Sequence, residues 1–243
     1  MIRPRAMNAN APRSTRLLRA GSPGLMLSLL FMMAPAAVAG TGSTACLEAA
    51  SGDDAERILS ACTPGREAGN LVDGYNLAIG LRSHDPEASL MHLRWAADGG
   101  LPEAAHLYGN VLIDEGAVER GLAQLAAAAQ AGLVAAQYDY ATALLETRGT
   151  DQRDTIFYWY AQAAANGDQS ARYNMGVLHL EGHLEPPDRV LAWAWFSSLA
   201  ALEGHPQVYR LVNRLTREMS REERSRGEEL LAVLRHDPMA LFD

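Results

Sequence analysis

Residues 163–183 read AAANGDQSARYNMGVLHLEGH and hold two histidines four apart, His179 and His183, with Glu181 between them. On an unbroken helix that spacing sets both imidazoles on one face, where a divalent metal could bind. The surrounding residues argue against it. Gly182 and Pro186-Pro187 end a helix there. The metalloprotease arrangement also needs glutamate directly after the first histidine, where Leu180 stands. His84, His92, His106, His205 and His236 are scattered, and no metal site is expected.

Other chemistry is equally sparse. The chain has no G-x-S-x-G elbow and no glycine-rich phosphate loop. All of its basic side chains are arginine, so Schiff-base and phosphate-loop lysines are excluded. Asp53-Asp54 and Glu222-Glu223 read as helix-start and solvated-face charges. A carboxylate pair across a groove would serve as acid and base, but the linear order brings none together. The expectation is a chain with no catalytic residues and no cofactor.

The amino terminus reads as a secretory signal over residues 1–39. Arg13, Arg16 and Arg19 form a basic region, LMLSLLFMMA (25–34) an apolar one, and Ala37-Val38-Ala39 a cleavage site. The apolar run is too short to span a bilayer. The formal net charge is −8 overall; without the five arginines of the leader, 16 basic groups face 29 acidic ones. Such a body is a poor partner for nucleic acid. Export makes a disulfide the expected state of the two cysteines, Cys46 and Cys62. SGDD (51–54) breaks the run between them, so two short antiparallel helices would form a stapled hairpin over residues 40–66.

An internal period organises the rest. GNLVDGYNLAIG from 69, GLPEAAHLYGNV from 100, GLVAAQYDYATA from 132, GDQSARYNMGVL from 167 and GHPQVYRLVNRL from 204 align without gaps. Each opens with glycine. The fifth residue is Asp73, Ala104, Ala136, Ala171 or Val208, and the tenth is small at Ala78, Gly109, Ala141 and Gly176, with Asn213 the exception. Alanine pairs precede most glycines: Ala96-Ala97, Ala128-Ala129, Ala163-Ala164 and Ala200-Ala201. Each unit therefore reads as helix, loop, helix and glycine turn, with small residues where helices must approach closely. PEASLMHLRWAAD (86–98) and DRVLAWAWFSSLAA (188–201) are second helices; DEGAVERG (114–121) is an unusually short middle loop.

The pattern resembles the Sel-1-like repeat, a relative of the tetratricopeptide repeat. It is strongest over 171–206, where Ala171, Tyr173, Met175, Gly176, Gly182, Asp188, Ala192, Trp195, Ala200, Ala201 and Gly204 fall on the family's alternation. His179 then occupies the usual aromatic position and Gly182 the inter-helix glycine. The resemblance implies an all-α, right-handed α/α solenoid, with repeats over 67–216. It also implies that the first helix of each pair lines a concave groove. The seventh residue from each glycine is Tyr75, His106, Tyr138, Tyr173 or Arg210. It lies about 200° round the helix from the fifth, off that residue's packed face. One turn on stand Ile79, Asn110, Thr142, Val177 and Arg214. Tyr75, His106, Asn110, Tyr138, Thr142 and Tyr173 are thus the candidate protein-binding residues, although tyrosines at this position also pack between repeats.

Residues 217–243 break the pattern. Ser220 with Glu223 forms a capping box, and Leu230, Leu231 and Leu234 form an apolar stripe, as a terminal capping helix requires. The functional expectation is a non-enzymatic periplasmic or secreted bacterial protein. It would bind a neutral or basic protein or peptide through the groove as an envelope adaptor or regulator. The alternatives are a glycan-binding or hydrolytic cell-wall protein and a secreted effector that meets a host protein.

Overall fold

The computed structural model describes residues 41–182, 186–202 and 206–241, apart from the side chain of Thr150. The expected signal segment lies outside the described residues, as do His183, Gly204 and His205. The described chain is helical throughout: α1 Thr44–Ala50, α2 Ala55–Glu67, α3 Leu71–Leu81, α4 Pro86–Asp98, α5 Pro102–Asp114, α6 Val118–Gln130, α7 Val134–Arg148, α8 Arg153–Ala165, α9 Gln169–Glu181, α10 Arg189–Ala200, α11 Pro206–Glu218 and α12 Arg221–His236. Short 3₁₀ turns at Gly149–Gln152 and Pro238–Leu241 complete it. No described helix is long and apolar enough to cross a membrane.

From α1 to α11 each helix packs on its chain neighbours, which is the contact pattern of an α/α solenoid. Local chemistry starts the helices. Side-chain oxygens of Asp54, Asn70, Asp85, Asp168, Asp188 and Ser220 accept the first backbone N–H groups. The glycine turns stop them. Gly69, Gly100, Gly132 and Gly167 have φ of 86°, 91°, 90° and 95°, a left-handed region that a Cβ disfavours. Around Gly132, its N–H donates to Ala129 and that of Leu133 to Ala128, at 3.0 and 3.2 Å; Gly100 and Gly167 repeat this with their own alanine pairs. The same alanines are buried. They seat the next helix while their carbonyls close the turn.

The tenth-position residues bring helices together. A Cβ at Gly176 would lie 2.6 Å from the Phe196 ring of α10. In the second unit Gly109 meets Gly121, where a Cβ on the latter would come 2.7 Å from the Gly109 carbonyl. This explains the short middle loop. Only Glu115–Ala117 turn the chain, and residues 118–121, expected as loop, form the first turn of α6. Axes this close need no longer connection. Three apolar clusters run along the chain. Tyr140 and Trp159, edge to face at 5.8 Å, pack against both larger clusters and join them.

The ends depart from the repeat for visible reasons. Cys46 and Cys62 form the expected disulfide between α1 and α2, with Cα atoms 4.6 Å apart. The neighbour of α3 is therefore a stapled hairpin rather than an ordinary helix pair. At position five Asp73 replaces the usual small residue; it is buried and accepts a 2.7 Å bond from the Ser43 N–H, latching the hairpin to α3. At the other end the Ser220–Glu223 capping box is formed. Helix α12 packs across α10, with Gly227 against Trp193 and with Leu231 and Leu234 in the same apolar cluster, and makes no comparable packing with α11 among the described residues.

Two glycine substitutions should separate these roles. Gly132→Ala meets open space but keeps a positive φ, and should cost about 1 kcal/mol. Gly176→Ala must displace Phe196 and should cost about 1–3 kcal/mol. Urea unfolding followed by circular dichroism measures both, and equal small losses would refute the close-approach role of Gly176.

Candidate functional site

The seventh and eleventh positions of the first helices share a face, and the structure shows what holds it together. On α5, His106 Nε2 lies 2.5 Å from Asp139 Oδ2 of α7, and Asn110 Nδ2 donates to the same oxygen at 3.0 Å. Burial raises the Asp139 pKa, but the hydrogen bonds from His106 and Asn110 outweigh it and leave the carboxyl below its ordinary range. One repeat on, Asn174 Nδ2 of α9 donates to the Tyr138 hydroxyl at 3.2 Å and to the Tyr160 hydroxyl of α8 at 3.3 Å. Thr142 Oγ1 donates to the Tyr138 carbonyl at 3.0 Å, which commits its only proton. The Tyr160 hydroxyl, 2.9 Å away, therefore donates to Thr142. Burial raises the Tyr160 pKa against the pull of Thr142 and Asn174.

The candidates thus divide. His106 and Asn110 are brought into one polar cluster and Tyr138 and Thr142 into a second, side by side in a half-buried network along successive first helices. Tyr138 also packs on Tyr160 with ring centroids 5.7 Å apart. Tyr75 stands apart from this network. It is half-buried against the middle cluster of the three, and burial, then the nearby Glu103 carboxylate, raises its pKa. Tyr173 is the most open at 42% exposure, with one ring contact to Phe196 at 5.6 Å. Sequence reasoning missed Asp139, Asn174 and Tyr160. Position eight reads Asn76, Leu107, Asp139, Asn174 and Leu211. Its polar members were the available signal, because the seventh residue of one repeat meets the eighth of the next.

Two open depressions flank the network. One, about 380 Å³, is lined by Ile79, Leu90, Leu93, Leu107, Asn110 and Val111, with Arg82, Asp114 and Glu115 among its charged residues. The other, about 420 Å³, is lined by Tyr138, Tyr173, Asn174, Leu199, Gln207 and Val208. The first pairs an apolar wall with the Asn110 amide and the second with those of Asn174 and Gln207, which suits a side chain entering from solution.

His179 has a structural position. It is 3% exposed and stacks on Phe157 at 4.9 Å, and α9 ends two residues later at Glu181, capped by Gly182 with φ 70°. Burial lowers its pKa to about 4 despite the raising effect of Asp188, so the ring is neutral. Among the described residues no group of three or more His, Cys, Asp or Glu side chains could hold a metal. The His106–Asp139 pair resembles half of a base-and-orienter arrangement. However, the hydroxyls of Thr142 and Tyr160 bond to each other, that of Thr142 to the Tyr138 carbonyl, and those of Tyr138 and Tyr160 to Asn174, rather than to His106.

Comparison with solved structures identifies the fold. A protective antigen present in uropathogenic Escherichia coli strains, described as displaying an SLR fold, superposes with a TM-score of 0.63 at 20% identity over 77% of this chain. The chain spans 42% of that protein's length. A Sel1 repeat protein from Oxalobacter formigenes superposes with a TM-score of 0.56 at 18% identity, over 74% of this chain and 79% of its own. No protein-family model matches the chain, and no curated protein matches it. The chain has the Sel1-like repeat fold.

Two outcomes are expected. Tyr138→Ala removes a packed ring and leaves Asn174 short of a partner, and should cost about 2 kcal/mol of stability. Tyr173→Ala should cost less than about 1 kcal/mol, and thermal unfolding of the two variants checks the order. For His179, the folded pKa of about 4 lies below an unfolded value of about 6.5. As pH falls through that window the unfolded chain takes up a proton that the folded chain does not. Stability is therefore full above about pH 6.5 and should fall by about 3 kcal/mol on reaching pH 4. His179→Phe should flatten that slope, leaving the smaller contribution of His92, whose pKa burial also lowers.

Proposed function

We propose that this repeat protein is a non-enzymatic scaffold that holds an extended protein segment along the face of α3, α5, α7 and α9. The observation that carries the reading is the pair of depressions on either side of the His106–Asn110–Asp139 clamp. The clamp keeps the first helices in register, and the depressions offer apolar contact with amides beside it. Ile79 at 38% exposure and Tyr173 at 42% are large apolar groups left open there, as anchor-receiving surfaces are. Both polar clusters are spent on joining helices, which supports a binding role over a hydrolytic one. The signal-like amino terminus and the Cys46–Cys62 disulfide support export to the periplasm or beyond the cell, since disulfides persist in oxidising compartments. In that setting the chain would act as an envelope adaptor or regulator.

The test is selection of a random dodecapeptide library, displayed on phage, against the folded protein. Enriched peptides should bind Tyr173→Ala or Ile79→Asp at least about tenfold more weakly, or about 1.4 kcal/mol, with unchanged helicity. Peptides that bind wild type and both variants equally would refute the groove. Retention of peptidoglycan fragments in place of peptides would favour a glycan-binding protein instead.

A further inference from the structure

The face of seventh and eleventh positions ends in charge. On α11 these positions are Arg210 and Arg214, and Arg217 follows one turn later. Residues 206–217 contain no acid. Val208 and Leu215 of α11 are buried against the core, as position five is in the earlier first helices and position twelve is at Gly80, Ala143 and Leu178. Arg210 and Arg214 therefore point the same way as Tyr173 and Val177. Both are exposed, and neither forms an ion pair among the described residues, whereas Arg148, Arg189 and Arg226 pair with Glu119, Glu223 and Asp188. Two arginines four apart on one helix repel each other. An acid at either place would remove that repulsion; the acid of this helix, Glu218, follows Arg214 by four residues and forms no ion pair with it among the described residues. Helix α12 lies on α10 and makes no comparable packing with α11 among the described residues.

We propose that Arg210 and Arg214 receive the carboxylates of an acidic protein segment, whose neighbouring apolar side chain sits in the depression lined by Tyr138, Tyr173, Leu199 and Val208. This rests on the groove reading and gives it a direction. Gln207 and Val208 line that depression, and Arg210 and Arg214 follow within two turns of the same helix, about 5.4 Å per turn. An anchor in the depression thus brings residues a few places along within reach of both guanidinium groups. Each guanidinium can grip a carboxylate with two parallel hydrogen bonds. At the other depression Asp114 and Glu115 face the single Arg82. The groove is cationic at α11 and acidic by one charge at α5, so an acidic segment is held in one orientation. The expectation of a neutral or basic partner, drawn from the overall charge, then applies only to the amino-terminal half.

The experiment uses the same phage selection on the full folded chain, followed by titration of labelled synthetic copies of the enriched peptides. The expected result is peptides with Asp or Glu beside an apolar anchor. They should bind R210E/R214E at least tenfold more weakly, and binding should return when their acids are changed to lysine. Exposed positions make this variant safe for folding, and the charge swap is a readout that loss of structure cannot mimic. If binding depends on Tyr173 but is unmoved by R210E/R214E, this proposal fails while the groove reading stands. If binding depends on neither, both fail. Vesicles of phosphatidylcholine with phosphatidylglycerol form a parallel arm. Vesicle binding lost in R210E/R214E, with no acidic peptide enriched, would overturn the proposal in favour of an anionic membrane surface.

Discussion

The distance between helix axes is the constraint on which this structure depends. Each repeat brings a second helix against two first helices, and the approach is set by Ala78, Gly109, Ala141 and Gly176 together with the buried alanine pairs. Side chains this small give little apolar area each, so the core depends on many short contacts at high density. The same alanines supply the carbonyls that close the glycine turns. Packing and chain reversal therefore cannot be altered separately. A larger residue in a pair would push the next helix away and disturb the turn that delivers it. Regular spacing in turn puts equivalent positions of successive repeats side by side, and only then does a column of seventh residues exist.

Where the neighbour changes, so does the rule. Position five can be alanine or valine only while it faces another helix of the same kind. At α3 it faces the segment leading into the disulfide hairpin, where the Ser43 N–H needs an acceptor, and Asp73 supplies one. Burying that carboxylate is tolerable because the group is hydrogen-bonded. At the far end α12 does not extend the stack by pairing with α11. It folds back over Trp193, whose indole N–H already donates to Thr216 of α11 at 2.7 Å. The stack is closed over α10 rather than over α11, and the arginines without an ion pair among the described residues lie on α11.

Most of the fold was legible because the architecture is nearly one-dimensional. Glycine turns, alanine pairs and helix starts are local signals, and α4 begins and ends where its composition says it should. The disulfide was legible from the even cysteine count and the expectation of export. The site was less so. The bonds His106–Asp139 and Tyr138–Asn174 join residues 33 and 36 apart. Their existence depends on the rotation between repeats, which no local pattern encodes. The periodic face drew the eye to position seven, while its partner at position eight alternates between leucine and polar residues and so looks irregular. The loop at 114–121 misled for a related reason: Gly121 reads as a breaker, yet it lies in α6 because Gly109 needs it there.

The polar network also decides how the face can work. A half-buried histidine, aspartate and asparagine cost desolvation unless every strong group is paired. Here the pairing runs between repeats, so His106, Asn110 and Asp139 cannot turn outward to a ligand without loosening α5 from α7. Tyr138 is similarly held by Asn174 and Tyr160, with one edge left to the depression beside it. The seventh position thus does two jobs at different points along the chain. In the middle it joins repeats; toward the carboxyl end, at Tyr173 and Arg210, it is exposed. A ligand on this face would be read at places separated by a rigid polar bar. A flexible segment bridging both depressions meets that geometry, whereas a compact molecule filling one of them would leave the other open.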